Sequence, residues 1–420
     1  MLDRLRRFVR ILGPGLVTGA SDDDPSGIGT YAQAGAAFGY STLWTALLTF
    51  PLTATVQYIC AKVALVSGRG MAGVLRRQFP AVIVYPAVFA LVVANTITAG
   101  ADIGAIAAAL ELIVPLPAVI YVAPIAIGIV VLLLLGSYEL LERIFKWLTL
   151  ALLAYVASAL FTSPDLGEVL RNTFIPTISV DPAFVLMLVA LLGTTISPYL
   201  FFYVAEDEVE SEISIGRRRI RQRKGASPKE LTFAGWDVTT GIGFSNLVFY
   251  FVVLASGGTL HQEGRRDLQS AADAARALQP IAGDAAGFLF AAGIIGSGFL
   301  AVPILATSAS YAVTELFGWP RGLDEKPGGA RRFYALIAAA ALVGMLVNFL
   351  GINPIDALVL AAVINGFVAP PLLVLILLVA NDRDVMGRRT NRLVTNVVGW
   401  ATAALMGMAA IAWVMLTVVS

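Results

Sequence analysis

Unbroken apolar runs, not alternating positions, set the pattern of this chain. Seven windows carry no charged side chain at all: 81–101, 112–135, 183–205, 285–314, 333–355, 357–381 and 393–420. A helix that crosses a hydrocarbon layer of about 30 Å needs about 20 residues at about 1.5 Å each, so every one of these windows predicts a membrane-spanning helix. Four further windows, roughly 11–36, 41–66, 143–162 and 232–256, qualify with one or a few charges, which brings the expected total to eleven spans. The expected class is an all-α polytopic membrane protein, with residues 1–420 forming one domain. The first apolar stretch runs past the length of a leader without a small-residue cleavage site, and is read as a retained first span.

Charge then orients the spans. Cations are retained on the cytoplasmic side of short loops, so even and odd loops should differ. Arg4, Arg6, Arg7 and Arg10 precede the first span, and the loops after even spans hold most of the other cations, whereas the loops after odd spans hold only Arg171, Arg265, Arg266 and Arg276. Lys62 falls inside the second span. The expected topology is an inner-membrane protein with its amino terminus cytoplasmic and its carboxyl terminus outside. The longest polar insertion, 206–230, turns from acidic to basic and is read as a solvated helix end and loop. The outer segment 256–280 predicts a short amphipathic helix.

Composition excludes several classes. The chain has 29 Lys+Arg against 28 Asp+Glu and a net charge of +1, which provides no basic field for nucleic acid. One histidine, His261, and one cysteine, Cys60, cannot form the pairs that zinc sites or disulfides require. No enzyme and no bound cofactor is expected, and no obligate protein partner is inferred.

Two spans violate the rules for a continuous helix in lipid. The first contains Gly13-Pro14-Gly15 and then Asp22-Asp23-Asp24-Pro25-Ser26-Gly27. A helix through that run would lose a hydrogen bond at Pro25 and put carboxylates at mid-bilayer, so it should unwind there. The sixth repeats the device with Gly193-Thr194-Thr195-Ile196-Ser197-Pro198-Tyr199. The competing reading is that each proline only kinks its helix. Interrupted helices five spans apart are the pattern of an inverted-repeat transporter whose site lies near the midplane, with spans one and six facing each other. The repeats are expected at about 11–162 and 183–380, followed by an extra helix at about 394–418.

These runs, together with Phe38-Gly39-Tyr40-Ser41-Thr42-Leu43-Trp44 and Ser137-Tyr138-Glu139-Leu140-Leu141-Glu142-Arg143, resemble the NRAMP family of divalent metal transporters. The resemblance implies a LeuT-type fold, a 5+5 inverted repeat with broken helices one and six, and a divalent cation as transported substrate. It also carries departures. Asp24 keeps the family's aspartate ligand, but Gly27 stands where the family has asparagine. Ser197-Pro198-Tyr199 replaces methionine-proline-histidine, and Val204 replaces a second histidine. In the third span Thr98 and Ala101 fall at the family's acidic positions, with Asp102 the nearest acid. Ala362 aligns with a family glutamine, and Asn365 nearby could assume its polar role.

Loss of a thioether leaves oxygen donors and favours hard cations, and magnesium, which keeps several waters, suits a site with few carboxylates. Loss of the histidines removes the groups best suited to move protons near neutral pH. The expected function is therefore Mg²⁺ or Mn²⁺ transport by alternating access with weak or absent proton coupling. The expected cation ligands are Asp24 first, then Asp23, oxygens around Gly27 and Thr194, Ser197 and Asn365. The nearest rival is a proton-coupled manganese or iron importer. A sodium-coupled organic-solute symporter on the same fold is disfavoured by the three acids, and a non-transporting scaffold predicts that Asp24→Ala changes no flux. Asn95, Asn246 and Asn348 are read as packing polar groups, Glu142–Arg143 as a structural ion pair, and His261 as structural.

Overall fold

A computed structural model describes residues 22–135, 153–161, 164–323 and 327–419. Every regular element among them is helical. The principal helices are α1 (Pro25–Phe38), α2 (Trp44–Ser67), α3 (Met71–Gln78), α4 (Ala81–Ile113), α5 (Ala118–Leu135), α6 (Ala154–Phe161) and α7 (Leu166–Phe174). They continue as α8 (Pro182–Thr195), α9 (Pro198–Ser214), α10 (Pro228–Ser256), α11 (Ala286–Phe317), α12 (Arg331–Met345), α13 (Pro354–Asn381) and α14 (Leu393–Val419). Eight stretches among the described residues are long and apolar enough to cross a bilayer, one of them formed by α8 and α9 together, and α5 is a shorter apolar helix. The first and fifth predicted spans are represented by their second halves, α1 and α6. The Gly13–Gly15 run and the Ser137–Arg143 motif, with its Glu142–Arg143 pair, lie outside the described residues.

Both predicted interruptions are real breaks. Asp24 is extended (φ −66°, ψ 164°) before α1. Ile196 (ψ 57°) and Ser197 (ψ 133°) leave the helix between α8 and α9. Proline alone does not cause this, because α2, α4, α11 and α13 run unbroken through Pro51, Pro86, Pro303 and the pair Pro370 and Pro371. The difference lies in side chains able to satisfy freed backbone groups. The Ser197 hydroxyl donates to the terminal carbonyls of α8, Gly193 at 3.0 Å and Thr194 at 2.6 Å, while Pro198 opens α9 with no N–H to satisfy. At the first break Asp24 Oδ1 accepts the Gly27 N–H at 2.6 Å, and Pro25 is the first residue of α1.

Helices five spans apart pack on each other: α1 on α8, α2 on α10, α4 on α11 and α5 on α12. A two-fold axis in the membrane plane relating spans one to five with six to ten produces this pairing. Small residues bring the backbones together. A Cβ on Gly100 would lie 2.0 Å from the Gly344 carbonyl, and one on Gly193 would lie 2.2 Å from the Ala362 carbonyl. The three asparagines bridge helices as packing groups. Asn95 donates to Leu305 O (3.3 Å), Asn246 to Ala46 O (2.7 Å) and Asn348 to Gly100 O (2.8 Å).

In the segment 256–280, the short helix Ala271–Ala275 turns Ala271, Ala274 and Ala275 inward, as an amphipathic helix should. His261 closes the end of α1: its Nδ1 lies 2.8 Å from the Ala36 carbonyl, and its ring lies against Gly39, whose φ of +59° ends the helix.

Candidate functional site

The first break places carboxylates in the protein interior. Asp22, Asp23, Asp24 and Asp102 are all buried, and no basic side chain forms an ion pair with any of them among the described residues. Each is held differently. Asp24 Oδ1 accepts from the Gly27 N–H at 2.6 Å and from the Ser26 hydroxyl at 2.8 Å. Asp102, from α4, accepts the Ser26 N–H at 3.0 Å. The Ser245 hydroxyl of α10 is within reach of Asp23 Oδ1 (2.9 Å) and Asp22 Oδ2 (3.2 Å). The acids therefore fan out around the break. No group of three or more His, Cys, Asp or Glu side chains is arranged to hold a metal ion among the described residues.

Oxygen donors converge between the two breaks instead. A Cβ on Gly27 would stand 3.3 Å from both Asp24 Oδ1 and Thr194 Oγ1, so the start of α1 and the end of α8 meet at one point with only a hydrogen atom between them. Thr194 Oγ1, Asp22 Oδ1, Asp23 Oδ2 and Asp102 Oδ2 are buried with no hydrogen-bond partner among the described residues. Buried carboxylate oxygens in that condition are costly unless a cation or proton joins them.

Three of the expected ligands have local partners of their own. Gly27 is the third residue of α1, so its carbonyl belongs to the helical ladder; the break ends at Asp24, whose own carbonyl already accepts from the Ile28 N–H at 3.1 Å. The Thr194 carbonyl, which Pro198 cannot pair in the helical ladder, accepts the Ser197 hydroxyl at 2.6 Å, and the Thr194 hydroxyl is buried with no hydrogen-bond partner among the described residues. Asn365 donates to Thr98 Oγ1 at 3.2 Å and shares no hydrogen bond with Asp23, Asp24, Gly27, Thr194 or Ser197; its Oδ1 is buried and unpartnered. Asp102, which the sequence offered only as the nearest acid to the family's acidic positions, stands at the first break and was not among the expected ligands. The charge-free window ended at Ala101, whereas α4 continues to Ile113 and carries this acid to the first break.

Known proteins agree with this architecture. Residues 15–416 match the family described as Natural resistance-associated macrophage protein-like. A divalent metal cation transporter MntH of Deinococcus radiodurans is 24% identical over 412 residues, covering 96% of this chain and 88% of that protein. The MntH of Mycobacterium tuberculosis is 28% identical, covering 97% and 92%. The crystal structure of an Eremococcus coleocola manganese transporter superposes with a TM-score of 0.73 at 16% identity, covering 95% of this chain and 85% of that one. MhsT in complex with L-phenylalanine superposes at 0.61 with 14% identity, covering 97% and 98%, a likeness of fold alone. With the family match spanning nearly the whole chain and the broken-helix bundle already described, this multi-pass membrane protein belongs to the Natural resistance-associated macrophage protein-like (Nramp) family.

Proposed function

We propose that the chain carries divalent cations across the bilayer by alternating access, that Mg²⁺ is preferred with Mn²⁺ close behind, and that flux is not driven by protons. The observation that carries this reading is the convergence of Asp24 and Thr194 on Gly27, where a Cβ would stand 3.3 Å from Asp24 Oδ1 and from Thr194 Oγ1, at the meeting point of two broken helices. The cation is bound by Asp24 and the Thr194 hydroxyl, with Ser197 supplying lone pairs its donated proton does not use, Asp23 and Asp102 adding negative charge, and Asn365 Oδ1 reached through water. No sulfur or imidazole stands at either break, so the donors are hard oxygens. Mg²⁺ suits so few direct donors because it retains much of its water. The small side chains at 26, 27, 194 and 197 favour a partly hydrated ion over one stripped of its water.

Two repeats, about 11–162 and 183–380, rock against each other around this point while the helix at about 394–418 stays outside them. The asymmetry of loop arginines supports a cytoplasmic amino terminus and an external carboxyl terminus in the inner membrane. A second reading, proton-coupled Mn²⁺ import, is favoured by one feature: the buried Asp102 one residue step from Asp24, through Ser26.

Uptake into proteoliposomes separates them. Mg²⁺, Mn²⁺ and Ca²⁺ are supplied in parallel to wild type and Asp24→Ala with a pH dye inside. Uptake that depends on Asp24 without lumenal acidification supports the proposal; acidification accompanying every entry supports the coupled reading, and uptake indifferent to Asp24→Ala overturns both.

A further inference from the structure

We infer that the face between α2, α10 and the start of α14 is a binding site for an anionic phospholipid, with its phosphate among four basic residues and an acyl chain in the groove beside them. Lys62 lies within the membrane-crossing helix α2. It is only 4% exposed, and its ammonium donates to Asn391 Oδ1 at 2.5 Å, with the Tyr58 ring 5.9 Å away. It lines a cavity of about 430 Å³ with Arg388, Arg389 and Arg392, and no acidic residue is in the wall among the described residues. The amide nitrogen of Asn391, held by Lys62, is buried without an acceptor. Four cations with no carboxylate counterpart among the described residues, one of them buried in a helix that crosses the membrane, favour an anion.

The cavity does not stop at the charges. Tyr58, Leu231, Thr232 and Thr395 are shared with an adjoining groove of about 500 Å³, which continues past Trp236 to Phe50. From Tyr58 to Phe50 the groove follows α2 for about 12 Å at about 1.5 Å per residue. Gly235 keeps it open, since a Cβ there would already touch the Tyr58 ring at 3.5 Å. Trp236 is 70% exposed on a helix that spans the bilayer, so the groove opens toward lipid. A free phosphate or nucleotide would use the cations and ignore the groove. A phospholipid of the arginine-rich leaflet fills both, its negative headgroup at Lys62 and a chain running toward Phe50.

The purified protein tests this by native mass spectrometry with phosphatidylglycerol, phosphatidylcholine and inorganic phosphate in separate arms. Wild type should retain phosphatidylglycerol over phosphatidylcholine, and Arg388→Gln/Arg389→Gln/Arg392→Gln should lower that retention at least about tenfold. Gly235→Leu, which fills the groove and keeps every charge, should lower it too, and it serves alone if the triple variant does not fold. Equal retention of the two lipids by wild type overturns the inference. So does phosphate binding by wild type with phosphatidylglycerol retention unaffected by Gly235→Leu. Neither readout involves ion flux, so the result is independent of the transported cation.

Discussion

Asp102 holds the backbone N–H of Ser26 at 3.0 Å, which ties the middle of α4 to the first turn of α1 across 76 positions of sequence. The bond does two things at once. It satisfies an N–H that the break would leave unpaired, and it brings a carboxylate from another helix to the serine that also donates to Asp24. Asp102→Asn keeps the acceptor and removes the charge, whereas Asp102→Ala removes both. The expected outcome is near-wild-type thermal stability for Asn and a loss of about 1–3 kcal/mol for Ala, from one buried unsatisfied N–H. Cation uptake by the Asn variant should need several-fold more cation for half-saturation. Thermal unfolding in detergent and uptake titrations check the two halves separately.

Asp24 has two functions that substitution can separate. As the cap of α1 it accepts from Gly27 and Ser26, and as a carboxylate it supplies the charge at the break. Asp24→Asn preserves an oxygen for the cap, so folding should be little changed; Asp24→Ala should cost a further 0.5–2 kcal/mol or so of helix capping. Both should reduce divalent uptake at least about tenfold, consistent with a charge worth more than 1.4 kcal/mol to the bound ion. Uptake that survives in Asp24→Asn at wild-type level would remove Asp24 from the ligand set.

How much of this was legible follows from which signals are local. The breaks at Asp24 and at Ile196–Ser197 were visible because each proline is accompanied by side chains that can take freed backbone groups. Pro303 and Pro370 lack the acid or hydroxyl immediately before them and stay within helices. The partners of the acids were not visible. That Ser245 reaches Asp22 and Asp23, or that Asn365 donates to Thr98, depends on the rotation of one long helix against another, which period and composition leave open. Asp102 did have a local signal: an acid within an otherwise apolar helix is by default functional. Ending the charge-free window at Ala101 left it outside the expected site, although α4 runs on through a mostly apolar stretch to Ile113.

His261 reads as a scaffold residue with a particular task. Its Nδ1 faces the Ala36 carbonyl at 2.8 Å, in the last turn of α1. Replacement by alanine should cost about 1 kcal/mol, the usual contribution of one hydrogen bond, and should leave uptake selectivity unchanged. Thermal unfolding measures the first. An altered Mg²⁺ to Mn²⁺ ratio in parallel uptake would show that the end of α1 controls its beginning.

Arg321 stands between two buried glutamates at the arginine-rich end of the bundle. Its guanidinium is 3.4 Å from Glu206 Oε1 and 2.8 Å from Glu315 Oε1. Burial works against its charge, yet the carboxylates of Glu206 and Glu315 leave its pKa above the ordinary arginine value. Gly70 lies against both acids with no space for a side chain: a Cβ there would overlap Glu206. Arg321→Gln leaves two carboxylates uncompensated and should destabilise by about 3–5 kcal/mol. Adding Glu206→Gln and Glu315→Gln to that variant should restore most of the loss. A triple variant no more stable than Arg321→Gln would mean that packing by the arginine, and not its charge, is what matters.

Selectivity provides the most direct test of the oxygen-donor reading. Gly27 and Ser197 stand where the resemblance places an asparagine and a methionine, and both lie at the meeting point of α1 and α8. Introducing Gly27→Asn alone puts a side chain where even a Cβ would stand 3.3 Å from Asp24 Oδ1 and Thr194 Oγ1, so it should exclude part of the hydration shell and lower Mg²⁺ uptake. Ser197→Met alone forfeits the hydroxyl's bonds to Gly193 and Thr194, at a cost of about 1–2 kcal/mol, but introduces a soft donor. The double variant should raise the ratio of Mn²⁺ to Mg²⁺ uptake about tenfold or more, because a softer, drier site disfavours the ion that releases water most reluctantly. Competition uptake with both ions present reads this ratio without reference to the amount of folded protein. A double variant that retains the wild-type ratio while still transporting would place the selectivity determinant elsewhere, with Asp23, Asp102 and Asn365 the next residues to exchange.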